Sequence, residues 1–285
     1  MNFKKVAGVL LSCVLAGVAL TGCGEDTDQK SAGDSQVIRV GMIKQLNISE
    51  QKLDELLQKI QEETPIKLSS HKTTFYDNLN SMLMGAESKS VNEISVYDSV
   101  GKYIIGKNDK FEVAHPDALM ELKDSFCFAV LKDNKDLKSQ LDETLKEIRT
   151  DGTLDKLTKE YITDLKQGEE PPAVQFEKFD GADIIKVAVT GDLPPLDLVL
   201  SNGQPAGFNT ALLAEVGKRL HKNIETIQID SVARASALTS KKADVVFWAI
   251  IPVGNERPSN MDVPSELDLS TPYFVDKIIH LDLKK

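Results

Sequence analysis

The residues able to carry covalent or metal chemistry are few and far apart. Of the three cysteines, Cys13 lies inside an N-terminal apolar run and Cys23 directly follows it, which leaves Cys127 alone in the body of the chain. A lone thiol makes no internal disulfide and no cysteine-based metal site. Cys127 sits in Phe126-Cys127-Phe128-Ala129-Val130, a setting for a buried, inert thiol and not for a nucleophile. His71, His115, His221 and His280 are scattered through polar stretches and read as surface residues, with no metal-type spacing and no Ser-His-Asp arrangement. Asp98 and Asp192 could be recruited as a carboxylate pair, but no Glu lies in the strongly apolar context that prepares a carboxyl for acid catalysis. No enzyme activity, metal or cofactor is implied, and recognition is the expected task.

The N-terminus carries its own chemistry. Lys4 and Lys5 precede an apolar run from Val6 to Ala19, followed by Leu20-Thr21-Gly22-Cys23, the order of parts of a secretory leader. At ~1.5 Å per residue the run is short for a bilayer core of ~30 Å. Leu-Thr-Gly-Cys resembles the bacterial lipobox, which implies cleavage after residue 22 and lipid on Cys23. Acyl chains there would hold the protein at an extracytoplasmic membrane face, each buried methylene contributing ~0.8 kcal/mol. Residues 1–22 are thus expected to be the leader, and 23–36, rich in Gly, Asp and Ser, a disordered tether. The net charge of −10 becomes −12 once Lys4 and Lys5 leave, a balance that argues against a nucleic-acid partner.

The elements that must position any site alternate between strand and helix. Val37 to Gly41 reads as a strand; Ser49 caps a helix over Glu50 to Glu62; Phe75 to Met84 has a helical pattern; Val91 to Val96 and Phe126 to Leu131 read as strands. Leu137, Leu141, Leu145 and Ile148 recur at helical spacing, Asp151-Gly152 breaks the pattern, and Leu154, Leu157 and Tyr161 resume it. After a polar stretch holding Pro171-Pro172, the rhythm returns: strands at Ile184–Thr190, Ile224–Ile229, Val245–Ile251 and Ile278–Leu283, helices at Thr210–Leu220 and Ala233–Thr239. Such alternation predicts α/β lobes, each a mixed sheet flanked by helices.

Several motifs then fall into register. Pro194-Pro195-Leu196, Asn202-Gly203, Gly207-Phe208-Asn209, Ala243-Asp244-Val245-Val246, Glu256-Arg257 and Leu269-Ser270-Thr271-Pro272-Tyr273 resemble, in order, the first lobe of the family 3 extracellular solute-binding proteins. Arg39-Val40-Gly41, Val96-Tyr97-Asp98 with Tyr103, and the run from Phe126 to Lys132 resemble that family's second lobe; Asp151-Gly152-Thr153-Leu154 with Tyr161 resembles its C-terminal helices. The resemblance implies a two-lobed periplasmic-binding-protein-like fold of type II, here in permuted chain order. Its expected parts are a second lobe at 37–132, the C-terminal helices at 133–165, a linker at 166–183 and the first lobe at 184–285. Permutation is physically reasonable because domain termini often lie close together at the surface.

The same resemblance implies site residues. Arg257 falls where the family clamps a carboxylate, one residue farther from Ala243-Asp244 than the family spacing; a solvated loop arginine is the alternative. Asp98 falls at the ammonium-binding carboxylate, with a strand-end turn residue as the alternative. Arg234, after Asp230-Ser231, stands where some acidic-amino-acid binders carry an arginine; a surface helix position competes. Asp192, Leu193 and Leu196 line a loop that in the family offers an aromatic lid, absent here. Trp248 would be a ligand wall, in competition with core packing. Two departures stand out: Trp248-Ala249-Ile250-Ile251 replaces a hydroxyl-rich stretch, and Leu46-Asn47-Ile48-Ser49 replaces a Gly-Thr-Thr anion loop. Asn47, Ser49 and the following helix N-terminus retain some attraction for an anion, and the departures leave room for a bulkier or more apolar ligand.

The expected role is therefore the substrate-capturing component of an ABC importer, a monomer that closes on an amino acid or similar small polar solute and docks on a permease. A sensor or accessory lipoprotein that contacts another protein is the second possibility. A binding-protein-fold enzyme such as a dehydratase is the third.

Overall fold

The computed structural model describes residues 38–44, 49–53, 55, 71–114, 123–250 and 263–284. The expected leader with Cys23, the tether, Asn47, Arg257 and most of the expected Glu50–Glu62 helix lie outside the described residues.

The chain begins with strand β1 (Ile38–Ile43), flanked in parallel by β2 (His71–Tyr76) and β3 (Glu93–Tyr97). Helix α1 (Leu79–Glu87) joins β2 to β3, and α2 (Asp98–Lys107) leads to β4 (Phe111–Ala114). The helical pattern over Phe75–Met84 is half overturned: β2 runs through Tyr76 and the helix starts only at Leu79. Lys72-Thr-Thr-Phe-Tyr76 suits a pleated surface and pairs along β1, while the Asn78 side chain accepts from Ser81 N at 2.9 Å and caps the helix there.

Strand β5 (Lys123–Leu131) then crosses out of this lobe, buried over nearly its whole length. It is followed by α3 (Lys135–Thr150), whose Leu137, Leu141, Leu145 and Ile148 are buried as their spacing predicts. Gly152, at φ 80°, allows the sharp turn into α4 (Thr153–Thr158), which ends in a π-helical turn at Lys159–Thr163. The second lobe in chain order, the one that resembles the family's first lobe, follows: β6 (Ile184–Val189), the short antiparallel trio β7 (Asp192–Leu193), β8 (Asp197–Val199) and β9 (Pro205–Ala206), helix α5 (Phe208–Leu220), and β10 (Asn223–Gln228). A single 3-10 turn at Ser231–Ala233 opens α6 (Arg234–Thr239), then come β11 (Val245–Ile250), β12 (Leu267–Leu269) and the long β13 (Phe274–Leu283).

The two lobes are built alike. The second sheet runs β10-β6-β11-β5-β12, parallel except for β5, which is antiparallel to both β11 and β12. The first runs β2-β1-β3-β13-β4, parallel except for β13, antiparallel to β3 and β4. In each lobe the antiparallel member is a strand delivered by the other lobe. Before they part, β5 and β13 pair with each other, Phe126 with Phe274 through Lys123 with Lys277, and so form a two-stranded hinge. The architecture is the expected two-lobed, type II binding-protein-like α/β fold, with helices packed on mixed sheets.

The linker is polar in composition yet closely held. Val174 N donates to Pro205 O at 2.9 Å on the second lobe, and Asn223 donates to Phe179 and Ala182 carbonyls. On the first lobe, Gly106 of α2 meets Gly168 backbone to backbone, beside the Lys107–Glu170 ion pair at 3.4 Å. A Cβ at Gly106 would collide with the Gln167–Gly168 peptide, which cannot swing away as a side chain end can. Gly106→Ala is therefore expected to lower stability by about 1–3 kcal/mol, read as a lower urea midpoint with unchanged slope; an unmoved midpoint would mean that the linker does not rest on α2 in solution.

Candidate functional site

Where the lobes meet, charged groups are buried in unusual number. Arg234 is 3% exposed, against its alternative reading as a surface residue. The 3-10 turn before α6 turns its guanidinium inward, where it donates to Ser231 O at 3.3 Å and Thr190 Oγ1 at 3.4 Å. Burial pushes the Arg234 pKa down, and Asp192, Asp197 and Tyr97 oppose that shift through their charge or partial charge. Asp197 accepts from Thr190 N at 3.0 Å and Thr190 Oγ1 at 3.1 Å. Burial raises its pKa, with the hydrogen bonds from Gly191 and Thr190 acting the other way.

The hinge adds a second group. Tyr97, at the end of β3, donates its hydroxyl to Asp124 Oδ2 at 2.8 Å; burial, then the charge of Asp124, raises the phenol well above its ordinary range. Asp276 of β13 accepts from Ser99 Oγ at 2.6 Å and Ser99 N at 3.2 Å, at the start of α2. Its pKa too is raised, chiefly by burial.

The residues singled out from sequence are placed as follows. Asp192, Leu193, Leu196, Ser231 and Arg234 all lie on the second lobe; of these Leu193, 5% exposed, lines the interlobe pocket described below, while Leu196 is fully buried in the core. Asp98 heads α2 on the other lobe and pairs with Lys102 at 2.9 Å and Lys277 at 3.9 Å. Ser49 is half-buried and its hydroxyl accepts from Lys52 N at 3.4 Å. Trp248 stands opposite Cys127 in the β5–β11 ladder, inside a small apolar cluster with Ala237, Leu238 and Leu269. The buried atoms Asp192 Oδ1, Ser231 Oγ and Trp248 Nε1 have no hydrogen-bond partner among the described residues, so three of the expected ligand-facing groups keep open polar valences. His280 corrects the surface reading of the histidines: on inner strand β13 it is largely buried and lies 3.0 Å from Glu93 Oε2.

The motifs of the second lobe act mainly as braces. Asn209 accepts from the Tyr273 hydroxyl at 3.1 Å, Asp244 Oδ2 accepts from Lys186 N at 2.8 Å, and Ser270 Oγ accepts from Phe128 N at 2.9 Å. Thr190, Asp197, Tyr97, Asp124, Ser99 and Asp276 were missed as site residues. Asp124 left a faint signal, an acid placed just ahead of the apolar run that forms β5.

Between the lobes lies a small pocket with about 40 Å³ of space for water-sized groups, lined by Ile43, Val96, Val100 and Ile278, by Leu193 of the second lobe, and by Tyr97 and Asp124. Among the described residues no cluster of His, Cys, Asp or Glu could hold a metal ion, and no helix is long and apolar enough to cross a membrane.

Residues 185–280, about a third of the chain, are similar to the bacterial extracellular solute-binding proteins, family 3. No functionally curated protein is significantly similar to the chain. Among solved structures it is similar to the ligand-binding component of an ABC-type import system from Staphylococcus aureus, at 9% identity and TM-score 0.43, over 87% of this chain and 66% of that one. It is also similar to the periplasmic aliphatic sulphonate binding protein from Escherichia coli, at 11% identity and TM-score 0.38, over 88% of this chain and 62% of that one. The GluR0 ligand-binding core from Nostoc punctiforme, in complex with L-glutamate, stands at 11% identity and TM-score 0.37, over 87% and 85%. This chain thus spans less than two thirds of the length of the first two. Each is a distant likeness, and the fold is defined by the chain's own strand order.

Asp197 makes the site's electrostatics testable. Its folded form holds a proton more tightly than the unfolded chain, so stability falls as pH rises from the ordinary carboxylate value of about 3.9 through the raised one. Asp197→Asn should flatten that slope in urea unfolding measured at stepped pH; a slope equal to wild type would assign it to other groups, Asp276 first.

Proposed function

We propose that this protein captures an amino acid or similar small polar solute between its lobes and presents it to the permease of an ABC importer. In this reading it acts as a monomer, outside the cytoplasm, with lipid on Cys23 holding it to the membrane. The observation that carries the reading is the exchanged strand pair: β5 and β13 each complete the other lobe's sheet and pair with each other between. Such a joint lets two rigid lobes rock about a short axis, and ligand drives closure to the extent that it binds the closed form better. The buried polar cluster around Arg234, with the open valences of Asp192 and Ser231, faces that joint and suits a solute with both charges.

In the same reading the chain order is permuted. The segment similar to family 3, at 185–280 and resembling that family's first lobe, comes last; the part resembling the family's second lobe and the helices through residue 165 come before it, and 166–183 joins what are the ends in the family. Arg257 and Asp98 are the proposed clamps for carboxylate and ammonium.

Binding only to the folded state must raise the melting temperature. A thermal-shift screen of the protein starting after Cys23, against amino acids, short peptides and small carboxylates, is expected to give a saturable shift with one chemical class. Silence across the panel would sink solute capture and favour a protein-contacting lipoprotein. With the ligand in hand, Arg257→Ala and Asp98→Ala should each weaken binding by about 1.5 kcal/mol or more; unchanged affinity in both removes the clamps.

A further inference from the structure

We propose that Leu193 is a latch between the lobes, a side chain of the second lobe seated in an apolar socket of the first, so that the chain itself favours closure before any solute contributes.

Leu193 is carried by one lobe and buried against the other. Strand β7 pairs only within the trio of the second lobe, where Leu193 stands opposite Asp197 of β8. Its side chain, 5% exposed, belongs to one apolar cluster with Ile43, Val96 and Val100 of the first lobe, with Ile278 packed against them. The same residues line the interlobe pocket, and β7 also lies against α1. The space left in that pocket is about 40 Å³ for water-sized groups, so Leu193 fills the socket and does not merely border an open one.

The peg is stiff. Leu196 N donates to Leu193 O at 2.7 Å, and at the head of α5 Phe208 N and Asn209 N donate to Pro195 O and Leu196 O, each at 2.9 Å. On the other side of β7, Gly191 at φ 71° packs so closely on Val199 that a Cβ there would lie 2.6 Å from its Cγ2. Thr190 then ties the base of the loop to Asp197 through its N–H and its hydroxyl. Held at both ends, Leu193 moves with its lobe and leaves the socket only when the lobes rock apart about the β5–β13 pair. Withdrawal returns an aliphatic side chain and the walls of its socket to water, which opposes opening. A charge at this position could not be seated there without a partner.

The test uses no solute, and so reads the latch apart from solute capture. In the protein starting after Cys23, the one native thiol is Cys127, which is buried. The thiol of Leu193→Cys should react with an aromatic disulfide reagent at least about tenfold more slowly than that of Ser201→Cys, an exposed position in the turn between β8 and β9. In small-angle X-ray scattering, wild type and Leu193→Met should share one radius of gyration, and Leu193→Asp should give a larger one while its far-ultraviolet circular dichroism is kept. If Leu193→Asp does not fold, Leu193→Ala carries the same comparison. Equal thiol reactivity at the two positions overturns the latch, and so does an unchanged radius of gyration in the folded variant.

Discussion

Everything in this molecule depends on the exchange of two strands. Each lobe is a parallel sheet with one place that only an antiparallel strand can fill, and the strand that fills it comes from the other lobe. Side chains of β5 and β13 pack in both cores: Phe126 contacts Tyr97 of one lobe edge to face at 4.8 Å, while Phe128 lies 4.7 Å from Tyr273 in the other. The lobes therefore share ladder hydrogen bonds as well as packing. Their separation is limited to bending where β5 and β13 pair, from Lys123 to Phe126. A linker resting on α2 at Gly106 and on β9 near Pro205 adds a second tie away from that axis.

The polar cluster follows from the same geometry. Strand ends converge on the hinge, and with them come Tyr97, Asp124, Thr190 and Asp276. Groups of this kind are costly to bury unless hydrogen-bonded, and most are: Tyr97 to Asp124, Ser99 to Asp276, Thr190 to Asp197. The remaining open valences at Asp192, Ser231 and Trp248 lie on one lobe, so that lobe has the greater means to hold a polar ligand before closure. The other contributes mainly apolar walls.

Local pattern carried much of this to the surface of the sequence. The α3 repeat of Leu137, Leu141, Leu145 and Ile148, the break at Asp151-Gly152 and the buried run of β5 were all legible because their causes are local. The strand at β2 was not: Phe75 to Met84 offers helical spacing, and only pairing with β1 decides that Tyr76 is extended. Arg234 could be flagged from its place after Ser231, yet its burial depends on Asp192 and Asp197, remote in sequence. Asp124 and Asp276 become a pair only through the hinge register, which no spacing reveals. His280 looked solvated because its sequence neighbours are polar, and it is the slot between β3 and β4 that buries it.

That slot has a consequence for the order in which the molecule is made. Ser99 and Asp276, which meet at the hinge, are 177 residues apart, and β4 finds its ladder partner only in β13 among the described strands. During synthesis the first lobe must wait, with the facing edges of β3 and β4 unmatched, while the whole second lobe is produced. Exposed edges of that kind invite pairing with foreign strands. The same delay keeps the lobe made first from closing early: the chain stays open until its late strand arrives to complete both halves together.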